Sequence, residues 1–193
     1  MLEPILIEFP SIITTDNLII RSPRPGDGKA AHQAVSESQD YLKDWMPWAV
    51  EVPDAEWYEK WARENHLDFL GRKNLTMMVI HQESGKFIGG TGFHSLDWSI
   101  PSLEIGYWLH PSYSGRGYMT EAVKALTEFG FNTLKAMRIE IRCDADNLRS
   151  VGVAERAGYQ LEATFKNHRR HHITNKLTTT LVYAKIAEEH HDA

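Results

Sequence analysis

Leu103-Glu104-Ile105-Gly106-Tyr107-Trp108-Leu109-His110-Pro111-Ser112-Tyr113-Ser114-Gly115-Arg116-Gly117-Tyr118-Met119-Thr120-Glu121 is the stretch from which the rest of the chain is read. Its start alternates: Leu103, Ile105, Tyr107 and Leu109 fall on one face, and Glu104, Gly106 and Trp108 on the other, the period of a strand with one packed face. The period then changes, with Met119, Ala122, Val123, Leu126, Phe129 and Gly130 recurring at the spacing of a long amphipathic helix. Between strand and helix, Gly115 and Gly117 stand at the helix start, where backbone N–H groups can converge on an anion with help from the helix dipole. Such a G-x-G step is also an ordinary tight turn, so phosphate binding needs support from other residues.

Two nucleotide motifs fail here. A P-loop requires Gly-Lys and then Ser or Thr, but Gly117 is followed by Tyr118 and Met119. A dinucleotide fingerprint requires a small residue where Thr120 stands and an acid at a strand end about 20 residues on. Glu140 is near that spacing but lies inside an alternating strand between Arg138 and Arg142.

Outward from this stretch, residues 75–81 and 86–94 form a hairpin around the turn Gln82-Glu83-Ser84-Gly85. Upstream, residues 17–21 (NLIIR) read as a strand, Pro25-Gly26-Asp27 opens a helix to about Gln39, and a second helix follows Pro53-Asp54. Downstream come a strand at 138–143, a short helix at 147–157 ended by Gly158, and strands at 159–165 and 177–185. The order is βααβββαβαββ, an α+β fold around a mixed sheet, read as a single domain over residues 1–193 with its core at about 17–187.

A length of 193 residues with 42% apolar and 24% charged residues suits a globular protein with a sizeable core. Cys143 is the single cysteine, so no internal disulfide forms, and the start LEPILIEFP lacks the basic and apolar segments of a signal peptide. No apolar run approaches the roughly 18 to 20 residues that span a bilayer, and a cytoplasmic location is expected. The net charge of −5 argues against general nucleic-acid binding and suits a cationic substrate.

The run from Leu103 to Leu109, then His110-Pro111, then Ser114 to Ala122, resembles the acetyl-CoA motif of the GNAT superfamily, in the RimJ/RimL-like branch of ribosomal-protein N-terminal acetyltransferases. Asn147-Leu148-Arg149-Ser150 and Glu155-Arg156-Ala157-Gly158-Tyr159 resemble that branch's second motif at the expected distance. The family usually has Gln or Arg where Ser114 stands and Ala or Gly where Met119 stands. Because the loop's contacts come mostly from backbone N–H groups, these changes bear on affinity more than on the existence of the site.

The resemblance implies a splayed sheet, an activity of acetyl-CoA-dependent N-acetyl transfer to a primary amine, and acetyl-CoA as co-substrate without a metal. It implies that Tyr107, Trp108 and Leu109 offer backbone to the pantetheine arm, that Ser114, Gly115, Arg116, Gly117, Tyr118, Met119 and Thr120 hold the pyrophosphate, and that Asn147 touches the cofactor. Glu104 is the candidate general base. Many relatives place an acidic tyrosine where Ala154 stands here, which leaves Ser150 as the candidate proton donor to the thiolate, or else a helix-capping residue; Asn147 too could be only a cap. Gly106 marks either a bulge or a packing gap.

The remaining candidates divide in the same way. Cys143 reads as a core residue rather than a nucleophile, and His168-Arg169-Arg170-His171-His172 as a solvated hairpin loop rather than a metal site. Trp45 and Trp48, in an aromatic loop broken by Pro47, are candidates for the acceptor cleft; Trp57 and Trp61 read as core. A protein N-terminal α-amine is the expected acceptor. A small amine such as a polyamine, an amino acid or an aminoglycoside is the alternative, and a non-catalytic acyl-CoA-binding module is the reading from another class. No direct nucleic-acid or membrane partner is expected, and the oligomeric state stays open, a homodimer included.

Overall fold

The computed structural model describes residues 3–187. One mixed sheet runs through them, built from β1 (Ile12–Thr14), β2 (Leu18–Arg21), β3 (Leu75–His81), β4 (Phe87–Asp97), β5 (Ser102–Leu109), β6 (Arg138–Asp144), β7 (Gln160–Arg170) and β8 (Leu177–Ile186), in the spatial order β1-β2-β3-β4-β5-β6-β8-β7. Every neighbouring pair is antiparallel except β5 and β6. The helices are α1 (Gly28–Leu42), α2 (Ala55–Leu70), α3 (Tyr118–Asn132) and α4 (Leu148–Arg156). No described helix is long and apolar enough to cross a membrane.

The alternation of β5 sorts its side chains between two layers. Leu103 and Ile105 are fully buried with Ala122, Val123 and Leu126 of α3 and with Ile139 and Ile141 of β6, in the larger core cluster. Each fully buried Leu or Ile there contributes on the order of 1.5–3 kcal/mol. The opposite layer is smaller: Ala31 and Val35 of α1 and Tyr58 of α2 are buried against Trp61, Phe87 and Trp108. Glu121, in the first turn of α3, ties that helix to the β1–β2 turn, accepting from Thr15 Oγ1 at 2.6 Å, Asn17 N at 2.9 Å and Asn17 Nδ2 at 3.0 Å.

The structure extends the sequence reading in four places. β1 carries no alternation of its own and exists through its pairing with β2. α1 runs on to Leu42, whose burial anchors an extra turn. β4 reaches Asp97 beyond an irregularity in its pairing with β5. β7 continues through the polar run to Arg170 because Arg169 and Arg170 pair with Thr178 and Leu177 of β8, so the expected hairpin loop starts only after Arg170.

Candidate active site

β5 and β6 pair only at Ser102–Arg138, Leu103–Ile139 and Glu104–Glu140. Past Glu104 the strands part, while β5 stays paired with β4 as far as Leu109 and β6 with β8 as far as Asp144. Glu104 therefore stands at the apex of a wedge, and the backbone of Tyr107, Trp108 and Leu109 offers one edge to it. A strand edge of this kind accepts an extended chain by main-chain hydrogen bonding.

β5 leads through a short 3-10 turn, Pro111–Tyr113, into the glycine loop. Gly115 and Gly117 have φ of +78° and +84°, in the left-handed region, and no atom lies within 4 Å of where either Cβ would be. Gly117 is the N-cap of α3, so its turn exposes the helix's first N–H groups to the loop. The neighbouring side chains are engaged elsewhere. Met119 is buried in the core and so directed away from the loop, the Tyr118 hydroxyl is 3.1 Å from His81 Nε2, Arg116 lies over the Tyr113 ring at 5.7 Å, and Thr120 Oγ1 is 3.4 Å from Arg156 Nε. Ser114 sits partly buried where the 3-10 turn ends.

Across the wedge, Asn147 is the N-cap of α4, its Oδ1 accepting from Ser150 N at 3.1 Å. Ser150 is thus the capped residue and its hydroxyl is free for another partner. The Tyr107 hydroxyl donates to the Ser150 main-chain carbonyl at 3.0 Å, and its oxygen lies 3.0 Å from Ser150 Oγ. In this second contact either hydroxyl can be the donor. Burial holds the Tyr107 phenol well above its ordinary pKa, opposed by the Ser150 hydrogen bond, so it stays protonated. Burial also raises the Cys143 thiol, against a hydrogen bond from Ser150, so Cys143 is a neutral thiol and a poor nucleophile.

Glu104 is half-buried, and burial raises its carboxyl pKa, opposed by the Arg142 guanidinium 3.8 Å away. Directly opposite it in the β4–β5 register is His94. The His94 ring fills the space left by Gly106: a Cβ there would come within 2.7 Å of the ring. Gly106 is therefore a packing gap rather than a bulge, and the irregularity of this strand pair falls beyond His94. His94 is open to the cavity yet walled by protein, and burial pulls its pKa down, leaving a neutral imidazole near pH 7.

A cavity of about 810 Å³ opens from the wedge toward α1 and α2. Tyr107, Asn147 and Ser150 line it at the wedge, and Trp45, Trp48 and Trp108 line it toward α1 and α2, with Trp48 and Trp108 edge to face at 6.2 Å. His94, Gly106, Arg142 and Arg169, the residues around Glu104, form the wall between. The hairpin tip closes over it where His172 Nε2 meets the Lys43 carbonyl at 2.7 Å. Of the segment expected as a solvated loop, His168 to His172, the residues Arg169 to His172 are thus part of the cavity wall. Among the described residues no group of three or more His, Cys, Asp or Glu is placed to hold a metal ion.

The GNAT acetyltransferase domain model matches residues 17–160. The chain belongs to this family. It is 26% identical over 156 residues to the ribosomal-protein-serine acetyltransferase of Escherichia coli (strain K12), covering 81% of this chain and 86% of that protein. It is 29% identical over 106 residues to the N-acetyltransferase p20 of Bacillus licheniformis, where the match spans 55% of this chain and 59% of the relative's length. Among solved structures, RimL, a ribosomal L7/L12 α-N-protein acetyltransferase in complex with coenzyme A, superposes with a TM-score of 0.83 at 25% identity, over 91% of this chain and 97% of that one. This protein is accordingly a GNAT N-acetyltransferase with the α+β fold of its relatives.

Within that frame the structure brings Glu104, Tyr107, Asn147 and Ser150 to one wedge, and sets the loop of residues 114–120 at the start of α3. Sequence reasoning missed His94, Trp57 and Trp61 as cavity residues, and it missed the hydroxyl of Tyr107 as a partner for Ser150. Register holds the signal for His94: once Gly92 pairs with Gly106, His94 must face Glu104. For the two tryptophans no local signal distinguishes a cavity wall from a core.

Proposed function

We propose that this GNAT enzyme transfers acetyl from acetyl-CoA to a protein N-terminal α-amine, with the chain forming one catalytic domain. The observation that carries the reading is the wedge itself: a free strand edge at residues 107–109, next to a helix N-terminus capped by a left-handed glycine and facing a paired Ser150 and Tyr107. The similarity to ribosomal-protein acetyltransferases supports the α-amine as acceptor.

Acetyl-CoA supplies an acetyl group activated as a thioester. In the proposed reaction the amine nitrogen attacks the carbonyl carbon, the C–N bond forms, the C–S bond breaks and the electron pair leaves on sulfur. Glu104, directly or through water, takes the proton the amine loses; its raised pKa brings it closer to that of the amine, which favours the transfer. Ser150 gives its hydroxyl proton to the departing thiolate and recovers one from solvent, while Tyr107 holds that hydroxyl in place. An α-amine with a pKa near 8 is already partly neutral at pH 7, so a carboxylate base suffices.

The test is a thermal-shift series followed by CoA release with N-terminal peptides. At about 100 times its Kd, acetyl-CoA should add roughly 2.7 kcal/mol of stability, with no shift from NAD or ATP. A shift with those nucleotides and none with acetyl-CoA overturns the reading.

A further inference from the structure

Five of the six tryptophans of the chain, Trp45, Trp48, Trp57, Trp61 and Trp108, line the one cavity that opens from the wedge. Resting on the acetyltransferase reading above, we propose that the amine acceptor carries an aromatic ring close to its amine, seated among these tryptophans. Trp48 and Trp57 remain 47% and 48% exposed, large apolar surfaces on a concave wall without a covering partner among the described residues. The rings meet edge to face: Trp48 with Trp108 at 6.2 Å, Phe87 with Trp108 at 5.6 Å and Tyr58 with Trp61 at 6.2 Å. An array of this kind leaves ring faces and edges open for one more aromatic group in the same geometry.

Position and charge point the same way. α3 and the glycine loop serve the opposite face of the sheet, so the α1–α2 side is left for the acceptor. Trp108 follows Gly106 on the same face of β5, about 7 Å along the strand, which is roughly the reach of one amino-acid side chain. Two carboxylates on the wall, Asp44 and Asp144, together with Glu104 at the apex of the wedge, are matched by three guanidinium groups, those of Arg142, Arg169 and Arg170. The wall thus has no surplus of negative charge to hold the further ammonium groups of a polyamine or an aminoglycoside.

The experiment compares phenylalaninamide, serinamide and spermidine as acceptors in CoA release, with the acetyl-CoA thermal shift recorded on the same preparations. Phenylalaninamide should have the highest kcat/KM, by about tenfold. It should also shift tryptophan emission in the complex with CoA, where no acetyl group can be transferred and where serinamide gives no shift. Trp48→Ala should lower kcat/KM for phenylalaninamide about tenfold more than for serinamide, with the acetyl-CoA shift retained, and Trp48→Phe should recover most of that loss. Equal or better use of serinamide or spermidine, failure to use phenylalaninamide, or equal losses for both acceptors in Trp48→Ala overturns the proposal while leaving the acetyltransferase reading intact. Absence of an acetyl-CoA shift in the wild-type protein overturns both.

Discussion

On the α3 side of the sheet the site is made of backbone: the free edge of β5, the N-terminus of α3 and two glycines with positive φ. On the α1–α2 side it is made of side chains, drawn from the loop after α1, from α2, from β4 and from the β7–β8 hairpin. The first needs a few residues in one contiguous segment and little side-chain identity. The second depends on which residues four separate segments bring together. On the proposed function, one side can keep its ligand while the other changes its acceptor, consistent with function residing in sites grafted onto a shared fold.

Substitutions on the two sides should separate binding from chemistry. The largest effect is expected at Gly117. A valine there must adopt φ near +84°, at a cost of roughly 1–2 kcal/mol, and its side chain projects into the open space over the helix N-terminus. Gly117→Val should abolish the acetyl-CoA thermal shift while the unliganded protein still unfolds cooperatively. A retained shift would show that the loop does not hold the cofactor, and the backbone account of that side would break.

Glu104→Gln should leave the cofactor shift in place and lower turnover by on the order of 100-fold near neutral pH, with part of the loss restored as rising pH deprotonates the amine. Stability should move the other way. Burial raises the folded-state pKa of Glu104, so the folded protein binds this proton more tightly than the unfolded chain does. Unfolding free energy then falls as pH climbs from the ordinary carboxylate value of about 4.3 through the raised one, and the cost stays in full above it. Glu104→Gln should therefore raise the Tm slightly at pH 7, and the gain should vanish below about pH 4. Wild-type turnover across pH 6 to 9 in the mutant would show the carboxylate to be only a strand residue facing Arg142.

The smallest effect sharpens the comparison at the wedge, where both sides meet. Ser150→Ala removes a hydroxyl but not the cap, which belongs to Asn147. Turnover should fall by about 10- to 100-fold with the KM for acetyl-CoA and the Tm little changed. A loss of about 1 kcal/mol of stability with unchanged turnover would make the pairing with Tyr107 structural.

Much of this was legible before any coordinates. The period of two at residues 103–109, the switch to helical spacing after Gly117 and the hairpin turn at 82–85 are local signals, because each depends on neighbours a few residues apart. Gly115 and Gly117 could be singled out for the same reason, whereas Glu104 as a candidate base comes from the resemblance to the GNAT superfamily. β1 was invisible, since three residues carry no pattern and the strand exists by pairing with β2. The polar end of β7 has the composition of a loop, and its strand character comes from its register with β8.

What the sequence by itself determined is the order of elements from β2 to β8 and the glycine turn at the start of α3, because backbone conformation and strand or helix period are set over short spans. Tertiary structure alone decided that Tyr107 reaches Ser150, that His94 fills the space of Gly106, and that tryptophans from three segments face one cavity. Each of these joins residues distant along the chain, and such distances are fixed only when burial of the two apolar layers chooses the register and packing of the whole sheet.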